Sequence, residues 1–257
     1  MSYESRGSAL TLRQELIARN HVFAKLNRLP HDISHGELPV IVYQPSECGR
    51  YHGNFLKASY AAILKRPQWR KRLGKVHAQG GRCLPAGDRP WREPDSSVSS
   101  DALLMNVFCD PRITRKPEVC SVLGVDRGSR PEFGFLPRVP LVSGAIERTE
   151  IDMKLGDMFF EAKLTEGDFQ TQRADLVEGC RDFKAMFEYR QLRRAGKKYV
   201  SYQLIRNVLA ARALGLEFCA LMDARRPDRF GHLGSLLFLS SYSINFGCQF
   251  RPKAHVG

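Results

Sequence analysis

The segment from Glu150 to Leu164 reads EIDMKLGDMFFEAKL, and it constrains the fold more than any other part of the chain. Two β-prone runs flank Gly156 and Asp157, a pair typical of a two-residue hairpin turn of type II′, in which glycine comes first. This turn fixes the register of the two strands. The predicted cross-strand pairs are Leu155 with Met158, Lys154 with Phe159, Met153 with Phe160, and Asp152 with Glu161.

The register also predicts which residues share a face of the hairpin. One face is entirely apolar and holds Ile151, Met153, Leu155, Met158, Phe160, Ala162 and Leu164. The other face holds Glu150, Asp152, Lys154, Phe159, Glu161 and Lys163. The apolar face is expected to pack against helices, which leaves a charged face available for chemistry.

On the charged face, Asp152 and Glu161 are expected directly opposite each other, with Cβ atoms roughly 5 Å apart, and like charges so placed destabilise a hairpin. A hard divalent cation bound by both carboxylates, with a backbone carbonyl and waters, would neutralise them. The ammonium of Lys163 could then hold an attacking water and stabilise charge on a phosphate. The alternative is a solvated face on which Glu150 pairs with Lys163 and Lys154 offsets Asp152 or Glu161.

The rest of the chain predicts an α/β fold, with strands followed by helices and a returning strand. A helix is expected over Leu10–Leu29, another from an Asn54 cap to Leu64, ended by Pro67, and a third over Asp101–Phe108, capped by Ser97 or Ser99 and burying Leu103, Leu104, Val107 and Phe108. Residues 110–140 are expected to be mostly loop, with a strand near residues 133–136. Helices over 176–195 and 199–214 precede a strand over 217–222, and the tail over 230–246 suits a helix or a strand pair.

Asp152, the triplet Glu161-Ala162-Lys163, and a following helix that contains Tyr202-Gln203-Leu204-Ile205-Arg206-Asn207 resemble the PD-(D/E)XK nuclease superfamily. The segments HGNF and SSDALLMN are similar to bacterial restriction-endonuclease-like proteins. The resemblance implies an αβββαβ core, a mixed central sheet flanked by helices. It also implies a Mg²⁺-dependent nuclease, with Mn²⁺ as a substitute, that hydrolyses DNA as an endonuclease.

The same resemblance implies roles for individual residues. Asp152 and Glu161 would bind the metal, Lys163 would assist the water, and Gln203 would join the site, with Asn207 as its companion one turn later. Glu150 could support the metal ligands, hold a second metal or pair with Lys163. The chain departs from the family pattern at Ile151, where the motif has proline. An acid from the first helix, for which Asp101 and Glu15 are candidates, is needed in some relatives.

The formal net charge of +13 indicates attraction to a polyanion such as nucleic acid. Between Arg50 and Arg92 there are eleven Lys or Arg residues and one acid, Asp88, with aromatic residues interleaved. The segment is therefore expected to contact nucleic acid through Lys57, Arg70, Lys71, Arg72 and Lys75. The aromatic residues could instead be core. We expect residues 1–95 to form a basic, helical and loop extension and residues 96–257 to form the nuclease core.

Two other functions stay open: a catalytically inactive nucleic-acid-binding protein of the same fold, and an interaction protein whose basic surface meets an acidic partner. A homodimer that cuts both strands also stays open.

The polar start of the chain and the lack of any run of eighteen apolar residues argue against export and membrane insertion. Seven scattered cysteines do not suggest a disulfide framework, so a cytoplasmic protein is expected.

Overall fold

The computed structural model describes residues 3–34, 38–76, 78–79, 82–83, 91–148, 150–166, 169–190, 192–223, 225–226, 242–245 and 249–252. The chain forms two compact units. The N-terminal unit is Ala9–Val119, and the C-terminal unit is Cys120–Gly257 together with Met1–Ser8.

The first part of the chain is mainly helical. Its elements in chain order are α1 (Tyr3–Leu26), β1 (His31–Ile33), β2 (Ile41–Tyr43), α2 (Lys57–Leu64), α3 (Pro67–Arg72), β3 (Ala78–Gln79), β4 (Arg82–Cys83), α4 (Ser100–Phe108) and α5 (Pro117–Leu123). Two 3₁₀ turns lie at Glu93–Asp95 and Ile113–Arg115. β1 pairs antiparallel with β2, and β3 pairs antiparallel with β4.

The second part of the chain contains most of the strands. Its elements are β5 (Pro131–Phe135), β6 (Arg138–Pro140), β7 (Ile146–Arg148), β8 (Ile151–Leu155), β9 (Met158–Lys163), β10 (Thr171–Arg173), α6 (Ala174–Glu178), α7 (Phe183–Met186), β11 (Arg194–Ala195), β12 (Lys198–Val200), α8 (Tyr202–Leu214), β13 (Glu217–Met222), β14 (Tyr242–Asn245) and β15 (Gln249–Pro252).

A mixed sheet of six strands forms the centre of the C-terminal unit, in the order β14-β15-β13-β9-β8-β5. β9 and β13 are parallel, and the other neighbouring pairs are antiparallel. A parallel pair requires a long crossover, and the connection from β9 to β13 contains α8. The prediction of an α/β fold is confirmed.

The main hydrophobic core packs α8 against the sheet. Phe159 of β9 and Phe218 of β13 lie in one cluster with Leu204, Ile205 and Val208 of α8. Phe159 is fully buried, so α8 covers the charged face of the hairpin, although helices are expected on the apolar face. The alternative of a solvated face is therefore wrong, and the charged residues of β9 are enclosed with this core.

The helix expected over Leu176–Ala195 is also wrong, because the chain forms α6, α7 and the short strand β11 there. The break between the two helices is held by the loop of β6 and β7. Val142 N–H donates to the carbonyl of Gly179 at 2.9 Å, and Arg181 N–H donates to the carbonyl of Pro140 at 3.0 Å. These bonds involve residues distant in sequence, so local periodicity does not reveal them.

The predicted helix caps have opposite outcomes. Ser99 caps α4 by accepting a hydrogen bond from Ala102 N–H at 3.1 Å, as expected. Asn54 does not cap α2, because its amide donates to the carbonyls of Pro94 and Ser96 at 2.8 and 2.7 Å. Pro67 ends the preceding helix as expected, and it also begins α3.

Smaller differences concern bounds and burial. α1 runs over Tyr3–Leu26 rather than Leu10–Leu29. α4 buries Leu104 and Phe108, but Leu103 and Val107 are exposed, contrary to expectation. Residues 110–140 contain α5 and β6 in addition to the expected strand. Of the tail over 230–246, only the part in β14 lies within the described residues.

The two compact units divide later than the boundary expected between residues 95 and 96. α4 explains the difference, because it packs against α2 and against the 3₁₀ turn at Glu93–Asp95. α4, which is expected in the second domain, is therefore part of the N-terminal unit.

Candidate active site

The β8–β9 hairpin has the expected turn and, as far as its ladder extends, the expected register. Three pairs are observed: Leu155 with Met158, Lys154 with Phe159, and Met153 with Phe160. Gly156 has a φ of +58°, which favours glycine, and Asp157 is not among the positive-φ residues. A positive φ at the first turn residue alone agrees with type II′.

The ladder stops before the fourth expected pair, and the side chain of Asp152 takes over. Its Oδ2 accepts a hydrogen bond from the backbone N–H of Ala162 at 3.0 Å. Because Ala162 lies between Glu161 and Lys163, this bond ties the Asp152 carboxylate to the backbone between those two residues. On the other side of β8, Gly134 of β5 has a φ of +65°, and the β5–β8 ladder has no pair at this residue.

Glu161 is the most deeply buried acid of the hairpin, with 2% of its surface exposed. Both oxygens of its carboxylate have partners. Oε1 lies 3.0 Å from Nζ of Lys163, and Oε2 accepts a hydrogen bond from Nδ2 of Asn207 at 2.8 Å. A buried carboxylate is stable only when it is neutralised and hydrogen-bonded, so these two contacts keep the charge inside the protein.

Lys163 lies among acids with 11% of its side chain exposed. Burial disfavours its charged form, but the carboxylates of Glu161, Asp152 and Glu166 outweigh burial and raise the pKa of Lys163. Its Nζ also lies 5.8 Å from the centre of the Phe169 ring. The structure therefore brings Asp152, Glu161 and Lys163 into one charged cluster.

α8 supplies the polar groups that face this cluster. Asn207 is fully buried and bonded to Glu161. Gln203 lies one turn earlier on the same side of the helix, and its Oε1 is buried without a hydrogen-bond partner in the described part of the chain. A buried acceptor is costly unless it receives a hydrogen bond, so this oxygen can accept one from water or from a ligand.

Arg206 connects α8 to Glu150, the residue that precedes β8. Its guanidinium donates to Oδ1 of Asn207 at 3.3 Å and to the backbone carbonyl of Glu150 at 3.1 Å. The amide of Asn207 is thereby oriented with its nitrogen toward Glu161. The side chain of Glu150 is exposed, and the Glu150 carbonyl is the atom that Arg206 contacts.

Arg226 belongs to the same region and was not among the sequence candidates. It is 1% exposed, and its guanidinium donates to the carbonyls of Leu164 and Glu166 at 3.2 and 3.3 Å. The segment that leaves β9 after Lys163 is held by these bonds. The sequence gives little indication that Arg226 belongs to this region, because the residues that it contacts lie about sixty positions earlier.

The donor set fits a hard divalent cation only in part. Among the described residues, no group of three or more His, Cys, Asp or Glu side chains could hold a metal. The carboxylates of Asp152 and Glu161 are the oxygen ligands that the cluster could offer to a cation. Mg²⁺ commonly binds one or two carboxylates and takes its other ligands from water and substrate phosphates, so two acids suit Mg²⁺ better than zinc.

The helix acids expected to complete the site have other partners. Asp101 is buried between Arg72 and Lys75, whose nitrogens lie 2.9 and 3.0 Å from its carboxylate. Burial opposes its charge, but the two cations outweigh burial and lower the pKa of Asp101. Glu15 pairs with Arg19 at 3.3 Å on the surface of α1.

Two of the five residues expected to contact nucleic acid take part in the same ion pairs. Arg72 is buried against Asp101, and the half-buried Lys75 also binds Glu93 at 2.9 Å, so both have acidic partners within the protein. Lys57, Arg70 and Lys71 are exposed. The aromatic residues Phe55, Tyr60 and Trp69 are buried, as the alternative interpretation of this segment expected.

Comparison with known proteins identifies the family. A family model described as Restriction Endonuclease associating with ARP (REase-ARP) matches residues 21–239, which is most of the chain. The chain belongs to the REase-ARP family. The matched range includes the β8–β9 hairpin, α8 and β13, so the cluster around Glu161 lies within the part that REase-ARP proteins share. No curated protein and no solved structure matches the chain. Among the described helices, none is long and apolar enough to cross a membrane.

Proposed function

We propose that this REase-ARP protein is a Mg²⁺-dependent nuclease that hydrolyses DNA phosphodiester bonds, as an endonuclease. One observation carries the proposal. Glu161 and Lys163 form a buried ion pair on β9, and the Asp152 carboxylate is tied to the backbone N–H between them. This arrangement has the residue types and the spacing of the PD-(D/E)XK motif.

The topology supports the same proposal. After α5, the strands β5, β8 and β9 are neighbours in an antiparallel arrangement, and α8 leads to β13, which is parallel to β9. This order agrees with the helix, three strands, helix, strand expected of an αβββαβ core. The hairpin of β6 and β7 lies between the first and second strands of that series, and β10, α6, α7, β11 and β12 lie between β9 and α8.

Each residue of the cluster has a proposed role. Asp152 and Glu161 would hold Mg²⁺, which would supply Lewis-acid polarisation of the phosphate and activation of a water. Lys163 would give up part of its contact with Glu161 and place its positive charge beside the scissile phosphate. Asn207 would keep the Glu161 carboxylate in position. The orphaned Oε1 of Gln203 would accept a hydrogen bond from the attacking water.

DNA binding is proposed on charge. The chain carries a net charge of +13, and Lys57, Arg70 and Lys71 are exposed cations of the basic segment. Phosphate contacts of this kind are independent of sequence and weaken as salt rises. The REase-ARP family name, which relates the chain to restriction endonucleases, agrees with DNA as the substrate.

The test compares two lysines of the same hairpin. Lys163→Ala removes the proposed catalytic lysine, and Lys154→Ala removes a lysine that pairs with Glu132 at 3.5 Å. Each variant is incubated with supercoiled plasmid and Mg²⁺, and its DNA affinity is measured in EDTA. We expect Lys163→Ala to lose cleavage, Lys154→Ala to keep it, and both to bind DNA as wild type does.

Asp152→Asn serves as a second variant, because asparagine retains an oxygen that can accept the Ala162 N–H bond. Circular dichroism shows whether each variant is folded. Loss of cleavage in folded Asp152→Asn supports the proposal. Undiminished cutting by both Asp152→Asn and Lys163→Ala would overturn it. Wild type that binds DNA but never cuts with Mg²⁺ or Mn²⁺ would indicate the inactive DNA-binding protein instead.

A further inference from the structure

The N-terminal unit contains a cavity that the proposed nuclease site does not use. Its volume is about 230 Å³, which is below the roughly 300–1,000 Å³ of sites that enclose drug-sized ligands. It can therefore take one flat ring system, with the rest of the ligand outside. The side chains that define its chemistry are Asp32, Tyr43, Gln44, Trp91, Arg92 and Asp95.

One wall of the cavity is aromatic and firmly held. Trp91 is half-buried and packs against the cluster of Val40, Val42 and Val98. Tyr43 is 1% exposed, and burial raises the pKa of Tyr43 to about 12, so its hydroxyl stays protonated and donates to Asn20 at 3.2 Å. Trp91 is therefore the ring available to stack a planar ligand, and the buried Tyr43 supports this wall from within.

The polar groups of the cavity are acceptors held by neighbours. Gln44 Nε2 donates to Oδ2 of Asp32 at 2.7 Å. Asn54 N–H donates to Nδ1 of His52, so His52 carries its proton on Nε2 and donates it to Oδ1 of Asp95 at 3.1 Å. Within the part of the chain that the structure describes, these bonds leave the amide oxygen of Gln44 and one oxygen of each carboxylate to accept hydrogen bonds from a ligand.

A ligand that satisfies this cavity must be flat and must carry N–H donors on one edge. Nucleobases meet both requirements, and guanine presents a ring N–H beside an amino group, two donors that match the one remaining oxygen on each of Asp32 and Asp95. Arg92 is exposed and would meet the phosphate attached to the base. The charge of Arg92 favours a nucleotide over a simple cationic amine, which would need only the two acids.

We propose that the cavity bounded by Trp91, Asp32 and Asp95 binds a nucleobase, with guanine preferred, of a nucleotide or of an unpaired residue in nucleic acid. The described residues that line the cavity fall between positions 32 and 95, and none of them belongs to the cluster around Glu161. Base binding here is thus independent of whether Glu161 and Lys163 cut DNA.

The experiment uses Trp91 as its own reporter. The chain has two tryptophans, so Trp69→Phe in the full-length protein leaves Trp91 as the fluorophore that a stacked base would quench. The protein is titrated in EDTA, where cleavage plays no part, with GMP, AMP, CMP and UMP, and with single-stranded oligonucleotides that do or do not contain guanine. A signal from GMP indicates a free nucleotide as ligand, and a signal from guanine oligonucleotides alone indicates nucleic acid.

We expect guanine ligands to quench Trp91. We expect Asp32→Asn and Asp95→Asn each to weaken their binding about fivefold or more, because each variant removes the charge from one of the two acceptors and a hydrogen bond to a charged group is about twice as strong as a neutral one. Asp126→Asn, an exposed aspartate outside the cavity, should bind as the parent does. Circular dichroism checks folding, and either cavity variant suffices if the other unfolds.

Three results would overturn the proposal. The first is the absence of quenching by every base and every oligonucleotide. The second is equal binding by the parent and by both cavity variants. The third is tighter binding of spermidine than of any nucleotide, which would identify the cavity as a site for amines. None of these results depends on cleavage, so the nuclease proposal stands or falls separately.

Discussion

Replacing Lys163 by methionine should destabilise the protein far more than replacing a typical lysine. Glu161 is 2% exposed, and its carboxylate has a cation, Lys163, on one oxygen and a neutral amide, Asn207, on the other. Methionine preserves most of the side-chain volume but removes the charge. The Glu161 carboxylate would then be a buried ion held by a single neutral donor.

The expected cost follows from that burial. Breaking a buried ion pair by removing one partner costs about 3–5 kcal/mol, because the remaining charge is uncompensated. For a domain of 150–250 residues, each kcal/mol lowers the melting temperature by roughly 2–4 °C, so a loss of roughly 6–20 °C is expected. Lys154→Met is the matched control. Lys154 pairs with Glu132, whose side chain is 59% exposed, and such a pair contributes less than about 1 kcal/mol.

The assay is denaturant unfolding in EDTA of wild type, Lys163→Met, Glu161→Gln and the double variant. The double variant no longer has a charge at position 161, because glutamine is neutral and can still accept from Asn207. It should therefore be more stable than Lys163→Met. Lys163→Met within about 1 kcal/mol of wild type, or a double variant whose loss equals the sum of the single losses, would refute the reasoning.

Three further results are expected. Asp101→Asn should cost about 3–5 kcal/mol near pH 7; because the pKa of Asp101 is lowered below 3.8 in the folded protein, this difference should shrink as pH falls below about 4 in urea titrations. Gly53→Ala should destabilise by about 1–3 kcal/mol, since its Cβ would lie 2.3 Å from the buried Tyr43 ring, and an unchanged melting temperature would contradict this. Ser99→Ala should cost about 1 kcal/mol through the lost bond from Ala102, whereas Ser99→Asp should cost less.

The hairpin was predictable because its determinants are local. A two-residue turn with glycine first and two runs of alternating residues specify the register, and three of its four expected pairs are observed. The strand over Glu217–Met222 and the C-terminal end of α8 were predictable for the same reason, since an apolar run and a helix ended by Gly215 need no distant partner.

The failures all depend on distant contacts. Asn54 looks like a helix cap, but the carbonyls of Pro94 and Ser96 take its amide. Phe159 looks like the odd member of a charged face, yet α8 covers that face and makes Phe159 core. Arg226 reaches back to Leu164 and Glu166, a contact that no local pattern contains.

The charges of the basic segment, residues 50–92, were also only partly predictable from the sequence. Composition alone indicates that cations are abundant between Arg50 and Arg92, but it does not indicate which of them are neutralised. Arg72 and Lys75 are bound by Asp101, which lies about thirty residues later, so part of their charge is neutralised within the protein. Lys57, Arg70 and Lys71 are exposed, but the sequence alone does not distinguish these exposed cations from the ion-paired ones.

The most direct test of the proposed nuclease activity is one cleavage reaction on supercoiled plasmid with wild type and Glu161→Gln, each with Mg²⁺ and with EDTA. Glutamine keeps the shape of Glu161 but removes the negative charge that would bind the metal. The account predicts nicked or linear plasmid with wild type and Mg²⁺, and intact plasmid in the other three reactions. Equal cleavage by wild type and Glu161→Gln, or by wild type in EDTA, would contradict it.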